Sequence, residues 1–193
     1  MRDVLPLYHD HLVSGIRLGS RRLKVIVDGG NGVGGFVGAP LYRALGCDVI
    51  ELFCDPDGLF PNHHPDPTIV ENMRFAIELL KERKADLAIA FDGDGDRIGV
   101  IDERGGIIWG DQLMVIFSRA ILQERPGATF IAEVKCSQTL FDDIRSWIGK
   151  TSCNFRDRSG RIVRISCNFA SPRRPPGVFH ACCRRRAPRA SRA

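Results

Sequence analysis

Two short apolar runs that end in acidic, glycine-rich turns most restrict how this chain can fold. Leu23-Lys24-Val25-Ile26-Val27 stops at Asp28-Gly29-Gly30, and Leu87-Ala88-Ile89-Ala90-Phe91 stops at Asp92-Gly93-Asp94-Gly95-Asp96-Arg97. Runs this short and this apolar suit strands buried on both faces, which must then be covered by other layers. The covering helices are expected near 35–45, 68–84 and 111–124, with another beginning near Ser137. Within 68–84, Ile69, Met73, Ile77 and Leu80 recur at steps of three and four, the stripe of a helix laid on a sheet. Further strands are expected near 48–53, 98–101, 107–109 and 129–134, with Asp102-Glu103-Arg104-Gly105-Gly106 as a hairpin turn. Asp111 reads as the N-cap of the 111–124 helix. The alternation predicts an α/β fold, a three-layer α/β/α sandwich with a mixed, mostly parallel sheet.

The acidic turn carries the chemistry. Alternate residues of a tightly turned segment point the same way, so Asp92, Asp94 and Asp96 can converge on one hard cation, which prefers oxygen ligands. Unneutralised, each close pair of like charges repels by about 4 kcal/mol at 4 Å and an effective dielectric near 20. Arg97 adds a planar fork suited to a phosphate beside the metal. The plain alternative is a solvated acidic turn with an incidental arginine. An EF-hand fits less well: Glu103 falls at its twelfth position, but Arg97 occupies the sixth, where glycine is required, and strand-like runs flank the loop.

A second motif competes for attention upstream. Gly30-Asn31-Gly32-Val33-Gly34-Gly35 matches G-x-G-x-x-G between a strand and a helix, with Asp48 and Glu51 at a ribose-binding distance in sequence. That pattern keeps open a non-catalytic binding module for a dinucleotide. Asp28 at the strand's end speaks against it, and it leaves the acidic loop unexplained.

Val27-Asp28-Gly29-Gly30-Asn31-Gly32-Val33-Gly34-Gly35, the stretch Phe53 to Pro67 with Pro61-Asn62-His63-His64-Pro65-Asp66-Pro67, Phe91 to Arg97, Trp109-Gly110-Asp111-Gln112 and Val134-Lys135-Cys136-Ser137 follow one another over about residues 20–144. In that order they resemble the second domain of the α-D-phosphohexomutase family, on its phosphomannomutase/phosphoglucomutase branch. The resemblance implies an intramolecular phosphotransferase, an isomerase of carbohydrate metabolism. Such an enzyme moves phosphate between C1 and C6 of a hexose phosphate through a phosphoserine and a bisphosphorylated intermediate. It further implies Mg²⁺ on Asp92, Asp94 and Asp96, Arg97 against the reacting phosphoryl group, and Lys135 near the sugar or its phosphate. Lys135 follows an apolar run and is expected at the mouth of a sheet, although an ordinary surface lysine fits the residue equally. His63 and His64 sit in a proline-stiffened loop and read as structural. The family's Thr-x-Ser-His-Asn-Pro phosphoserine loop has no counterpart in this sequence, so the chain is expected to be a fragment that is inactive alone.

Charge divides the chain. Residues 1–144 hold 15 Lys+Arg against 22 Asp+Glu, whereas residues 145–193 hold 13 against 1. Three parts are expected: a lead-in helix in 1–20 built on Val4, Leu5, Leu7 and Leu12, an α/β domain over 21–144, and a basic, disordered tail over 145–193. Within the tail only Arg161-Ile162-Val163-Arg164-Ile165 hints at a strand; its abrupt change of character reads as out-of-frame translation or a junction. The functional alternative is an arm that binds nucleic acid or an acidic membrane non-specifically through its arginines. The seven cysteines form no CxxC pair, which argues against zinc. With a polar N-terminus and the cytosolic sugar metabolism that the family resemblance implies, reduced thiols in the cytoplasm are expected.

Overall fold

The computed structural model describes residues 4–133, 135–147, 150–156 and 162–167. Helix α1 (Leu5–Gly15) precedes β1 (Lys24–Asp28), α2 (Val33–Ala44) and β2 (Asp48–Leu52). A 3₁₀ turn (Val70–Met73) leads into α3 (Arg74–Arg83), then β3 (Leu87–Phe91), β4 (Ile98–Asp102) and β5 (Ile107–Ile108). Helix α4 (Gly110–Glu124), β6 (Thr129–Glu133), α5 (Gln138–Ser146), β7 (Lys150–Arg156) and β8 (Ile162–Cys167) follow.

The first five strands form one sheet in the order β2-β1-β3-β4-β5. β1 pairs in parallel with both β2 and β3, β4 runs antiparallel to β3, and β5 antiparallel to β4, so four of the five strands point one way. The two-residue side-chain period assigns the faces. Val25, Val27 and Ile89 pack with Ala39, Cys47 and Cys54 beneath α2. Ile26, Ala88, Ala90 and Ile101 pack with Met73, Ala76 and Leu80 of the 3₁₀–α3 segment. Helices therefore cover both faces, and the sandwich expected from the sequence is present. Cys54 is buried, and its thiol donates to Val27 O at 3.2 Å. Burial pushes that thiol up to about 11.

The expected lead-in helix is α1, which lies against α2 through His9 Nε2 and Val37 O at 3.0 Å. The hairpin turn is also as read: Asp102 Oδ1 accepts from Arg104 N at 3.0 Å and Gly106 N at 2.6 Å. Among the described residues no helix is long and apolar enough to cross a membrane.

Two details depart from the sequence reading. The run at 129–134, grouped there with the other strands of 21–144, opens a second sheet of order β6-β7-β8, with β7 parallel to β6 and β8 antiparallel to β7. Leu122 of α4, Phe130 of β6, and Leu140 and Ile144 of α5 form its separate core. The segment expected to be a tail also contributes: β7 and β8 lie within 145–193, β8 covering the strand hint, and the rest of that segment lies outside the described residues.

Leu80 is wholly buried, whereas Leu59 is 87% exposed. Leu80→Ala is expected to lower stability by about 2–5 kcal/mol and Leu59→Ala by less than about 0.5 kcal/mol, as read by urea unfolding of the two variants.

Candidate metal centre

The two apolar strands β1 and β3 lie side by side, so their carboxyl ends deliver the glycine turn and the acidic loop to the same place. The chain leaves β1 toward β2 on one side and arrives at β3 on the other. Open α/β sheets bind ligands outside the carboxyl ends of strands at such a switch point.

The acidic loop is folded on itself. Asp92 N donates to Arg97 O at 3.3 Å, and Gly95 N to Asp92 O at 3.2 Å. Asp92, Asp94 and Asp96 present ligand oxygens that all lie within 4.8 Å of one another; Asp92 is buried and the other two are exposed. Asp92 Oδ1 accepts from Arg97 N at 3.0 Å, and Asp92 Oδ2 from Arg97 Nε at 2.6 Å. Arg97 Nη1 reaches a second carboxylate, Asp66 Oδ1, at 3.1 Å.

Burial pushes the Asp92 carboxyl upward, but the hydrogen bonds from Arg97 outweigh it and leave the group below the usual carboxylate range. Asp96 moves the other way, raised by its hydrogen bond with Asp92 and by the charge of Asp94. The Asp92 hydrogen bond raises Arg97 further. Asp66 is held low, chiefly by the Thr68 hydroxyl. An all-oxygen donor set with one anchored and two adjustable carboxylates fits a hard divalent cation such as Mg²⁺.

The glycine turn serves this loop. Val33 N donates to Gly93 O at 3.1 Å, and a Cβ on Gly32 would stand 2.7 Å from the same oxygen. A Cβ on Gly34 would stand 2.5 Å from Phe91 Cβ, so the run of small residues lets the acidic loop settle on the start of α2. Four backbone donors of the turn are engaged within the domain. Gly29 N bonds Leu52 O, Gly30 N bonds Asp28 Oδ1, Asn31 N bonds Phe53 O and Gly32 N bonds Gly29 O, at 2.7–2.9 Å. Beside the loop a cavity of about 410 Å³ opens between α1 and α2, walled by Tyr8, Val33 and Phe91 with Asp94 at its rim.

Lys135 lies in the loop after β6, which belongs to the second sheet, whereas the triad follows β3 of the first. That loop is tied to the start of α4 by Ser137 N donating to Asp111 Oδ2 at 3.1 Å. Asp111 is therefore not the helix cap. Trp109 takes that position, its N–H bonded to Gln112 Oε1 at 2.9 Å, and the carboxylate two residues on is spent on Ser137, whose hydroxyl holds it low.

Sequence reasoning passed over two partners in the proline-rich segment. In sequence Asp66 is one residue of a proline-rich motif, and His63 reads as structural with no partner indicated. His63 Nε2 lies 3.2 Å from both oxygens of Asp28, which is fully buried. Its ring also stacks against Phe75 and meets Phe53 edge-on. The signal available was the buried strand-end aspartate itself, which required a cationic or donor partner.

These features define a class: an α/β/α domain that presents three converging carboxylates and a guanidinium hydrogen-bonded to one of them at a sheet's carboxyl edge. A family model described as "Phosphoglucomutase/phosphomannomutase, alpha/beta/alpha domain II" matches residues 6–106, just over half of the chain, and the chain belongs to that family. Phosphomannomutase/phosphoglucomutase of Pseudomonas putida is 47% identical over 138 residues, 72% of this chain and 30% of that protein. Phosphoglucomutase of Neisseria meningitidis is 45% identical over 139 residues, with the same two shares. A phosphoglucomutase/phosphomannomutase family protein of Burkholderia thailandensis superposes with a TM-score of 0.77 at 43% identity, over 82% of this chain and 34% of that one. The chain thus spans about a third of the length of the relatives it matches. The family model stops just short of β5, the last strand of the first sheet.

Hydrogen bonding to Asp28 raises the His63 pKa against the opposing effect of burial. A raised folded value means that the imidazolium stabilises fully below the unfolded pKa near 6.5 and that this stability fades as pH rises through the folded pKa. Wild type should exceed His63→Gln by about 3 kcal/mol near pH 6 and by visibly less near pH 8.5; denaturant melts across that range measure the gap.

Proposed function

We propose that this chain is the metal-binding part of a phosphohexomutase, whose full cycle moves phosphate between C1 and C6 of a hexose phosphate by way of a phosphoserine. The single observation that carries this reading is the convergence of three carboxylates beside Arg97 at the sheet's carboxyl edge. Asp92, Asp94 and Asp96 would hold Mg²⁺, which when bound supplies positive charge to a phosphoryl group and its attacking or leaving oxygen.

The chain's own residues supply the rest. Asp92 is fixed by the main chain of its own loop, so one ligand is oriented in advance, while exposed Asp94 and Asp96 adapt to the ion. Arg97 offers guanidinium donors for the equatorial phosphoryl oxygens, where charge accumulates in transfer. Lys135, at the carboxyl end of β6, is assigned to the sugar or its phosphate. The serine nucleophile would come from a Thr-x-Ser-His-Asn-Pro loop, and this sequence has none, so the chain should not complete the cycle alone. Cys47, Cys54 and Cys136 are free thiols, which accords with a cytoplasmic setting.

Titration calorimetry of the chain with Mg²⁺ should show one saturable site. Asp94→Ala, at an exposed position, should weaken it by about tenfold or more with an unchanged circular dichroism spectrum, and NAD should give no binding heat. Undiminished Mg²⁺ binding in the variant would refute the assignment.

A further inference from the structure

Arg97 is claimed by two carboxylates of different character. Its Nε donates to Asp92 Oδ2 at 2.6 Å and its Nη1 to Asp66 Oδ1 at 3.1 Å. Asp92 belongs to the converging triad, so a divalent ion seated there competes with Nε for the same group. Asp66 is not part of that triad.

The orientation of Asp66 is determined by its own surroundings. Thr68 N and Thr68 Oγ1 both donate to Asp66 Oδ1, at 3.0 and 2.7 Å. Pro65 and Pro67 on either side are buried and fix the chain at φ near −65°. The carboxylate is thus aimed before Arg97 arrives, and its side chain is only 18% exposed.

We propose that Asp66 is the positioning residue of Arg97, retaining the guanidinium at the mouth of the acidic loop when Asp92 turns to a metal ion. The proposal rests on the metal reading above. It assigns Asp66 no contact with metal or substrate. Without Asp66, a loaded site would keep its cation and lose the aim of its arginine.

The test uses the full ¹⁵N-labelled chain with Mg²⁺ alone as the ligand. The Arg97 Nε–Hε resonance is identified by its disappearance in Arg97→Lys. In the Mg²⁺-saturated wild type its order parameter should be near about 0.8, and in Asp66→Asn it should fall below about 0.6, approaching Arg104, whose side chain is 86% exposed. Mg²⁺ affinity in Asp66→Asn should fall by less than the roughly tenfold or more that follows loss of a ligand's own hydrogen-bond partner, because Asp66 bonds Arg97 and not a carboxylate of the triad. Thr68→Val, which keeps the carboxylate and removes one bond that aims it, should give a smaller loss of order and serves if Asp66→Asn does not fold. Unchanged Arg97 order in these variants overturns the proposal, as does an Arg97 in the loaded wild type as mobile as Arg104. Collapse of Mg²⁺ affinity in Asp66→Asn overturns it too, by making Asp66 part of the ion's own site. Failure of the wild type to bind Mg²⁺ would remove the metal reading and this inference together, whereas binding without the loss of order removes only the inference.

Discussion

Main chain touching main chain, where the turn after β1 meets the loop after β3, is the contact on which the rest of the structure depends. The hydrogen bond from Val33 N to Gly93 O spans it, and no side chain fits between. Because the two strands are adjacent and parallel, their ends are already in register, and glycine removes the atoms that would hold them apart. Closer approach lets the start of α2 support a loop whose own charges oppose its folding.

The same edge solves one electrostatic problem twice. Asp28 and Asp92 are each almost fully buried at a strand's carboxyl end, and an unpaired buried carboxylate is costly. Each accepts a backbone N–H within five residues, from Gly30 and Arg97 respectively. Each is also met by a basic side chain, His63 for Asp28 and Arg97 for Asp92. The proline-rich segment serves both pairs, because it carries His63 and also Asp66, the second partner of Arg97. One surface loop thus reaches the turn and the acidic loop together.

What could be read from the residues was whatever depends on local period and spacing. The apolar runs at β1 and β3, the Met73, Ile77 and Leu80 part of the stripe that runs through α3, and the turn before β5 announce themselves, since each is fixed by its own neighbours in sequence, whereas Ile69 precedes the helix and is exposed. The triad was legible for the same reason, being three alternate positions of one loop. Long-range partners were not. Asp66 meets Arg97 across 31 positions and His63 meets Asp28 across 35, and nothing local encodes either meeting. The glycine run is ambiguous because close packing and phosphate binding demand the same small residues. The placement of β6 in its own sheet likewise turns on pairing with β7, far from anything β6 shows by itself.

Cys54 illustrates what such packing does to reactivity. A thiol with a pKa of about 11 is ionised in roughly one molecule in ten thousand at neutral pH. Alkylating reagents and peroxides attack the thiolate, so this sulfur should behave as a small hydrocarbon while the chain stays folded. Its modification would therefore serve as a chemical clock for opening of the layer between α2 and the sheet.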